Sequence, residues 1–257
     1  MKARRLLLTW LFSAAGSAAL LLAWEAAVRG LNVPLYVLPA PTDIARQLGR
    51  DWPLLVRHMQ PTVIEAAGGF LLGNLVAIAL AAGFVHSAPL ERTLFPIAIA
   101  LRTIPLVAIT PLLVVWLGNG YAPKIAIAAL ISFFPTLVNM VRGLGALDRQ
   151  ALDLLRTYSA TPLQVFTKVR LPASLPYLFA SLKISATSSV LGAVVAEWIG
   201  SDRGLGYLVV ASTFEFRIAR LWATIAVSSG VALAGFLLVV IAERLLVPWR
   251  EEVSTQP

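Results

Sequence analysis

Cysteine is absent from this 257-residue chain, which excludes disulfides, thiolate metal ligands and thiol nucleophiles. Charge is scarce as well. Asp, Glu, Lys and Arg make up 13% of the residues, against 58% apolar, where a soluble domain carries about 25% charged. A soluble globular domain is therefore excluded. The 2 histidines, His58 and His86, sit at opposite ends of one apolar segment and offer no metal site or acid/base pair at usable spacing. No Gly-x-x-x-x-Gly-Lys-[Ser/Thr] loop occurs, so the chain cannot cradle nucleotide phosphates by that device. Nor does any basic cluster stand apart from the apolar segments. The net charge of +8 is thus read as setting topology and touching anionic lipid, with no nucleic acid as partner.

What the chain has in abundance is apolar runs of about 20 residues or more, the length a helix needs to cross a bilayer core. Six spans are predicted, at 6–28, 61–85, 94–117, 123–141, 173–199 and 221–247. The fold class is all-α, a polytopic membrane bundle. Lys2, Arg4 and Arg5 open the chain like a signal peptide, but the run from Leu6 to Ala23 outlasts the usual apolar core of about 7–15 residues, so the first helix is expected to stay uncleaved. Three parts follow: a first helix with its connecting segment (1–60), a five-helix core (61–247) and a tail (248–257). In the connecting segment, Leu38-Pro39-Ala40-Pro41 reads as a turn, and Thr42 or Asp43 as the cap of a short helix from Ile44 to Leu48. With the N-terminus in the cytoplasm, eleven of the 21 Lys and Arg fall on the cytoplasmic side and eight opposite, Arg102 and Lys183 lying inside spans. That bias places both termini in the cytoplasm.

Two features break the apolar pattern. The 94–117 span contains Pro96, Pro105 and Pro111 with Arg102, and each interior proline kinks a helix. Such a span either lines a translocation path or packs as an ordinary kinked helix. Among intramembrane charges, Glu25, Glu65 and Glu243 lie near span ends and are expected to reach the interface. Lys183 faces either the bundle interior or the cytoplasmic interface. Arg102 and Glu197, with Pro105 and Pro111, are the candidates for a path.

The second feature is a polar island, Asp148 to Pro172, between the fourth and fifth spans. Its first half, Asp148 to Tyr158, has amphipathic helical periodicity. Ser159-Ala160-Thr161 interrupts it. Thr161 is then a good N-cap, Pro162 suits the first helical position, and Gln164 falls where a capping box needs it. A second short helix follows, and Leu171-Pro172 is expected to end it. The predicted result is helix, tight turn, helix at the cytoplasmic surface, either a docking protrusion or an interfacial anchor.

The island resembles the cytoplasmic coupling loop of the membrane subunits of ATP-binding-cassette importers. That family's pattern is Glu-Ala-Ala, three residues, Gly, nine residues, Ile, one residue, Leu-Pro. Anchored on Leu171-Pro172, it sets Val169 at the Ile, Ser159 at the Gly, and Asp153-Leu154-Leu155 at Glu-Ala-Ala. Ser159 for glycine and the two leucines for alanines depart from the pattern. Arg102 to Leu112, Trp116 to Gly120, Phe133-Phe134-Pro135, Ala196-Glu197, Gly204-Leu205-Gly206-Tyr207 and Leu38 to Pro41 are similar to the branch handling nitrate, sulfonate, taurine and bicarbonate. The resemblance implies a six-span permease subunit of a binding-protein-dependent importer in a bacterial inner membrane, itself no enzyme and without cofactor. Its partners would be two copies of an ATP-binding subunit, a second copy of itself and an extracytoplasmic solute-binding protein. The coupling loop would be Asp153, Leu154, Leu155, Ser159, Ala160, Thr161, Pro162, Val169, Leu171 and Pro172. The solute would be a small anion or a vitamin-precursor heterocycle. The alternative is an ATP-independent channel or secondary carrier.

Overall fold

A computed structural model describes residues 2–248, apart from the side chains at 2–10, 13, 149 and 156; the predicted tail thus lies almost wholly outside the described residues. Every regular element among them is helical: α1 (Lys2–Gly30), α2 (Pro41–Arg50), α3 (Trp52–His86), α4 (Ala88–Leu101), α5 (Leu106–Leu117), α6 (Tyr121–Gly145), α7 (Arg149–Thr157), α8 (Pro162–Val165), α9 (Leu171–Glu197), α10 (Leu205–Phe214) and α11 (Ile218–Leu246). In lipid a backbone must satisfy its own polar groups, which leaves helices as the open-ended solution. Among the described residues, four helical stretches are long and apolar enough to cross a membrane, α3, α6, α11 and Pro162–Glu197; the count is five if α4 and α5 form one broken span.

The bundle centre is α3, α6 and α9, and glycine decides how close they come. A Cβ on Gly73 would lie 2.3 Å from the Ala129 carbonyl oxygen, and one on Gly69 would lie 2.3 Å from the Ala128 methyl. Gly192 brings α9 close as well, since a Cβ there would lie 2.9 Å from Ala128 Cα. Side-chain oxygens then stitch the crossing. Thr136 donates to Asn74 Oδ1 and lies 3.1 Å from the Ser185 hydroxyl, which donates to the Ser132 carbonyl at 2.8 Å. Apolar clusters flank this centre, with Phe84, Leu137, Met140 and Leu144 towards the island, and Ile44, Leu55 and Leu208 at the other end. α1 stays outside, holding the bundle through the edge-on Trp24–Trp222 contact at 5.4 Å and through Glu25, which accepts from the Thr42 amide and hydroxyl.

Several expectations need correction. The 94–117 span is not one kinked helix: α4 and α5 meet at a 100° bend. Ile104 precedes Pro105 and so is pushed out of the helical region, and Pro105 is extended at ψ 117°. The short helix in the connecting segment starts earlier, at Pro41, with Ala40 as its extended cap. The span expected to open at Pro61 begins at Trp52, and Pro61 is buried inside α3. Glu65 and Glu243 are buried rather than interfacial, because each meets a lysine on another helix: Glu65 to Lys124 at 3.6 Å, and Glu243 to Lys183 at 2.7 Å. Lys124, read as a loop charge, is 4% exposed within α6.

Gly73→Val should lower the stability of the detergent-solubilised chain by about 2 kcal/mol or more, since backbone has to move to admit the side chain. Gly145→Ala, which meets open space, should leave the melting curve where it is, and equal effects would refute the close-crossing account. A second outcome concerns Asp51, which takes hydrogen bonds from Gln47 and Arg220. Burial pushes its pKa up, but the hydrogen bonds from Arg220 and Gln47 outweigh that and hold it below the usual carboxylate value. A lowered folded-state value stabilises above the unfolded pKa and is lost as pH falls through the folded one. The melting temperature should therefore drop more steeply below about pH 4 in the native chain than in Asp51→Asn.

Candidate functional site: a surface helix pair continuous with a span

α7 closes with the Thr157 hydroxyl donating to the Leu154 carbonyl at 2.6 Å, and the Ala160 amide donating to the Leu155 carbonyl at 3.1 Å. Ser159 between them adopts φ +53°, left-handed backbone that favours glycine. That is the position where the family pattern carries glycine, so the turn keeps its shape at some cost in strain. α8 opens with a full capping box: the Gln164 amide donates to Thr161 Oγ1 at 3.3 Å, and the Thr161 amide to Gln164 Oε1 at 2.9 Å. Thr161 is extended at ψ 154°, and Pro162 occupies the first turn.

Leu171-Pro172 does not end this helix, contrary to the sequence expectation. α8 passes through a π-helical turn, Phe166–Arg170, straight into α9, with the Leu171 amide donating to the Phe166 carbonyl. Pro172 has no amide to donate and would crowd the carbonyl four residues back; a widened turn makes room for it. Val169, Leu171 and Pro172 therefore lie within one rod that runs from the island into the bundle. Arg170 ties the rod to α6 by donating to the Leu144 carbonyl at 3.1 Å, and Phe166 packs on His86 of α3 with ring centres 5.0 Å apart. The island's outward face is apolar where it is most exposed: Leu154 at 58%, Tyr158 at 77% and Leu163 at 69%. Asp153 is exposed, while Leu155 and Ala160 are half-buried and brace the turn from beneath.

The other sequence candidates fall in two places. Arg102 stands at the α4–α5 bend, exposed, its side chain making no hydrogen bond or ion pair among the described residues, and lines a cavity of about 290 Å3 with Phe134, Pro135 and Ser188. Pro105 forms the bend and Pro111 lies within α5. Glu197 is far from Arg102 in role. It is 1% exposed and accepts from Thr62 Oγ1 at 2.6 Å and from the Gly206 amide. It fixes the α9–α10 connection to α3, and a Cβ at Gly204 would collide with its carboxylate at 2.2 Å. Sequence reading missed His58 and Thr62 as partners of this connection. The Gly204 amide donates to His58 Nδ1 at 3.2 Å and the Leu205 amide to Thr62 at 2.8 Å. The Gly-Leu-Gly run after Glu197 was the available signal, since free amides at a helix start seek side-chain acceptors.

Comparison with known proteins agrees with this layout. Residues 73–250 match the family described as binding-protein-dependent transport system inner membrane component. A probable ABC transporter permease of Haemophilus influenzae is 36% identical, over 83% of this chain and 87% of its own. The formylaminopyrimidine transport permease ThiX of Halalkalibacterium halodurans is 32% identical over 91% and 93%, respectively. A putative aliphatic sulfonates transport permease of Bacillus subtilis, SsuC, is 34% identical over 88% and 83%. Among solved structures, a chain of the inward-facing MetNI methionine ABC transporter shares the fold, at TM-score 0.61 and 21% identity over 75% of this chain and 97% of that one.

Ser159→Gly should stabilise the turn by about 1 kcal/mol, by removing the left-handed penalty, and Ser159→Val should weaken it. Proteolytic nicking of the 157–162 segment measures both, and identical rates in the three chains would contradict the strained-turn reading.

Proposed function

The chain belongs to the family of binding-protein-dependent transport system inner membrane components, and from that premise we propose how it works. It is an integral inner-membrane permease of an ATP-binding-cassette importer, and ATP hydrolysis lies in its ATP-binding partner subunit. Two copies of the chain, two copies of that subunit and an extracytoplasmic solute-binding protein make the working assembly. Six crossings, with α1 as the first beside a 61–247 core, leave both termini and the island on the cytoplasmic side. The ATP-binding subunit docks on the island.

The continuity of α8 with α9 carries the reading. A docked α8 moves as one rod with a central helix of the bundle, so closure of the ATPase pair tilts α9 without an intervening hinge. Leu154, Tyr158 and Leu163 offer the buried contact that a docking site needs, and Ser159, Ala160, Thr161 and Pro162 fix the turn that presents them. Asp153, Leu155, Val169, Leu171 and Pro172 hold the two legs in register. The pathway then opens alternately to each side.

For the solute we propose a small anion or a vitamin-precursor heterocycle, since the named relatives are transport permeases for aliphatic sulfonates and for formylaminopyrimidine. Arg102 has a rigid, permanently charged fork free at the α4–α5 bend, where it can guide an oxyanion. Pro105 and Pro111 shape that bend, and Glu197 holds the loop at the far end of the path.

Purification of the tagged chain in mild detergent tests the docking. A stoichiometric ATP-binding subunit should accompany it and be lost from the Ala160→Asp/Thr161→Asp double variant. A chain that arrives alone in both preparations, yet moves solute in vesicles, would instead be a channel or carrier. In the intact assembly Arg102→Ala should cut uptake roughly tenfold, the equivalent of about 1.4 kcal/mol. Normal uptake would remove Arg102 from the path.

A further inference from the structure

The end of the bundle away from the island carries a polar recess to which the importer reading assigns no ligand. It has a volume of about 570 Å3 and lies between the starts of α3 and α6 and the α9–α10 connection. Arg57, His58, Tyr121, Asp202, Arg203 and Tyr207 are among its lining residues. Tyr121 and the island mark opposite ends of α6, about 36 Å apart at 1.5 Å per residue.

The frame of this recess is fixed from below. Buried Lys124 donates to the Ser201 hydroxyl at 2.8 Å, and Ser201 donates to the Arg203 carbonyl at 2.6 Å. The Gly204, Leu205 and Gly206 amides are held by His58, Thr62 and Glu197. The connection is therefore pinned to α3, α6 and α9 at once, and its side chains are presented in a set geometry. Preorganisation of this kind lowers the ordering cost of binding.

The lining has a clear chemical bias. Arg57 and Arg203 bring two guanidiniums, and Arg57 has no ion pair among the described residues. Asp202 opposes them only weakly, since its side chain is 92% exposed and its one contact with Arg203 is 3.9 Å long. Lys124 does not add to the balance, being paired with Glu65. Arg203 lies over the Tyr121 ring at 5.0 Å, which leaves the edge N–H groups of the guanidinium to meet an acceptor. The neutral His58 ring, whose Nδ1 accepts the Gly204 amide, carries its proton on Nε2, a further donor. His58 and Tyr207 stack at 5.7 Å with 19° between planes, giving the recess a flat wall.

We propose that this recess is a binding site for the oxyanion of a small solute, a sulfonate or carboxylate on a flat or short apolar body, held before it passes into the bundle. Arg57 and Arg203 clasp the charge, and the His58–Tyr207 wall packs the apolar part. Only the direction of passage rests on the importer reading.

The test uses the full chain in lipid nanodiscs, titrated with benzenesulfonate and with neutral benzenesulfonamide, and followed by saturation-transfer NMR. Benzenesulfonate should bind and the sulfonamide should not. Arg203→Gln and Arg57→Gln, both at exposed side chains, should each weaken binding roughly tenfold, about 1.4 kcal/mol. Ala160→Asp/Thr161→Asp should leave the affinity unchanged, so loss of ATPase docking is read apart from loss of the recess. Absence of binding, equal binding of the sulfonamide, or an affinity indifferent to both Arg57→Gln and Arg203→Gln would overturn the assignment.

Discussion

The close approach of α3, α6 and α9 is the constraint on which the rest of this molecule depends. Helices in lipid gain little from hiding apolar surface against one another, because lipid tails are as apolar as leucine. What remains is contact area and hydrogen bonding, and both need short distances. Gly69, Gly73 and Gly192 let backbones touch at Ala128 and Ala129. At that separation Asn74, Thr136, Ser185 and Ser132 can reach across. Ser132 and Ser185 thus act as joints between helices.

From that centre the chain builds two differently equipped ends. At one, Arg170 and Phe166 tie the π-turn to α6 and α3, so the island moves with the bundle rather than swinging from it. At the other, Glu197, Thr62 and His58 pin the α9–α10 connection, and Lys124 joins it to α6. The buried ion pairs follow the same division. Glu65–Lys124 belongs to the pinned end, and Lys183–Glu243 binds α11 to α9. Breaking one partner of such a pair leaves an uncompensated charge, so each pair resists sliding of the helices it joins. A bundle held this way shifts between discrete packings in preference to yielding gradually.

Local signals were readable in the sequence, and contacts across the bundle were not. Thr161, Pro162 and Gln164 announce a capping box because all of its partners lie within one turn. Ser159 breaks the helix where the pattern does, for the same local reason. Pro172 misled because proline is usually a stop, and a π-turn that absorbs it depends on how α8 and α9 are held. Pro105 was read as a kink, whereas the pre-proline geometry of Ile104 gives a 100° turn and moves Arg102 from mid-span to a corner. Glu65 looked interfacial because its distance from a span end says nothing about Lys124, on another helix and 59 residues on.

The absence of cysteine makes the most direct measurement simple. A single cysteine at Leu163, an exposed position on α8, can be tested for cross-linking to the ATP-binding subunit, beside a control cysteine at the exposed Leu35 in the α1–α2 connection. Cross-linking at Leu163→Cys alone, with a yield that changes when ATP is added, is the predicted result. Solute uptake that continues with no cross-link from Leu163→Cys under any nucleotide condition would contradict the docking on which this account stands.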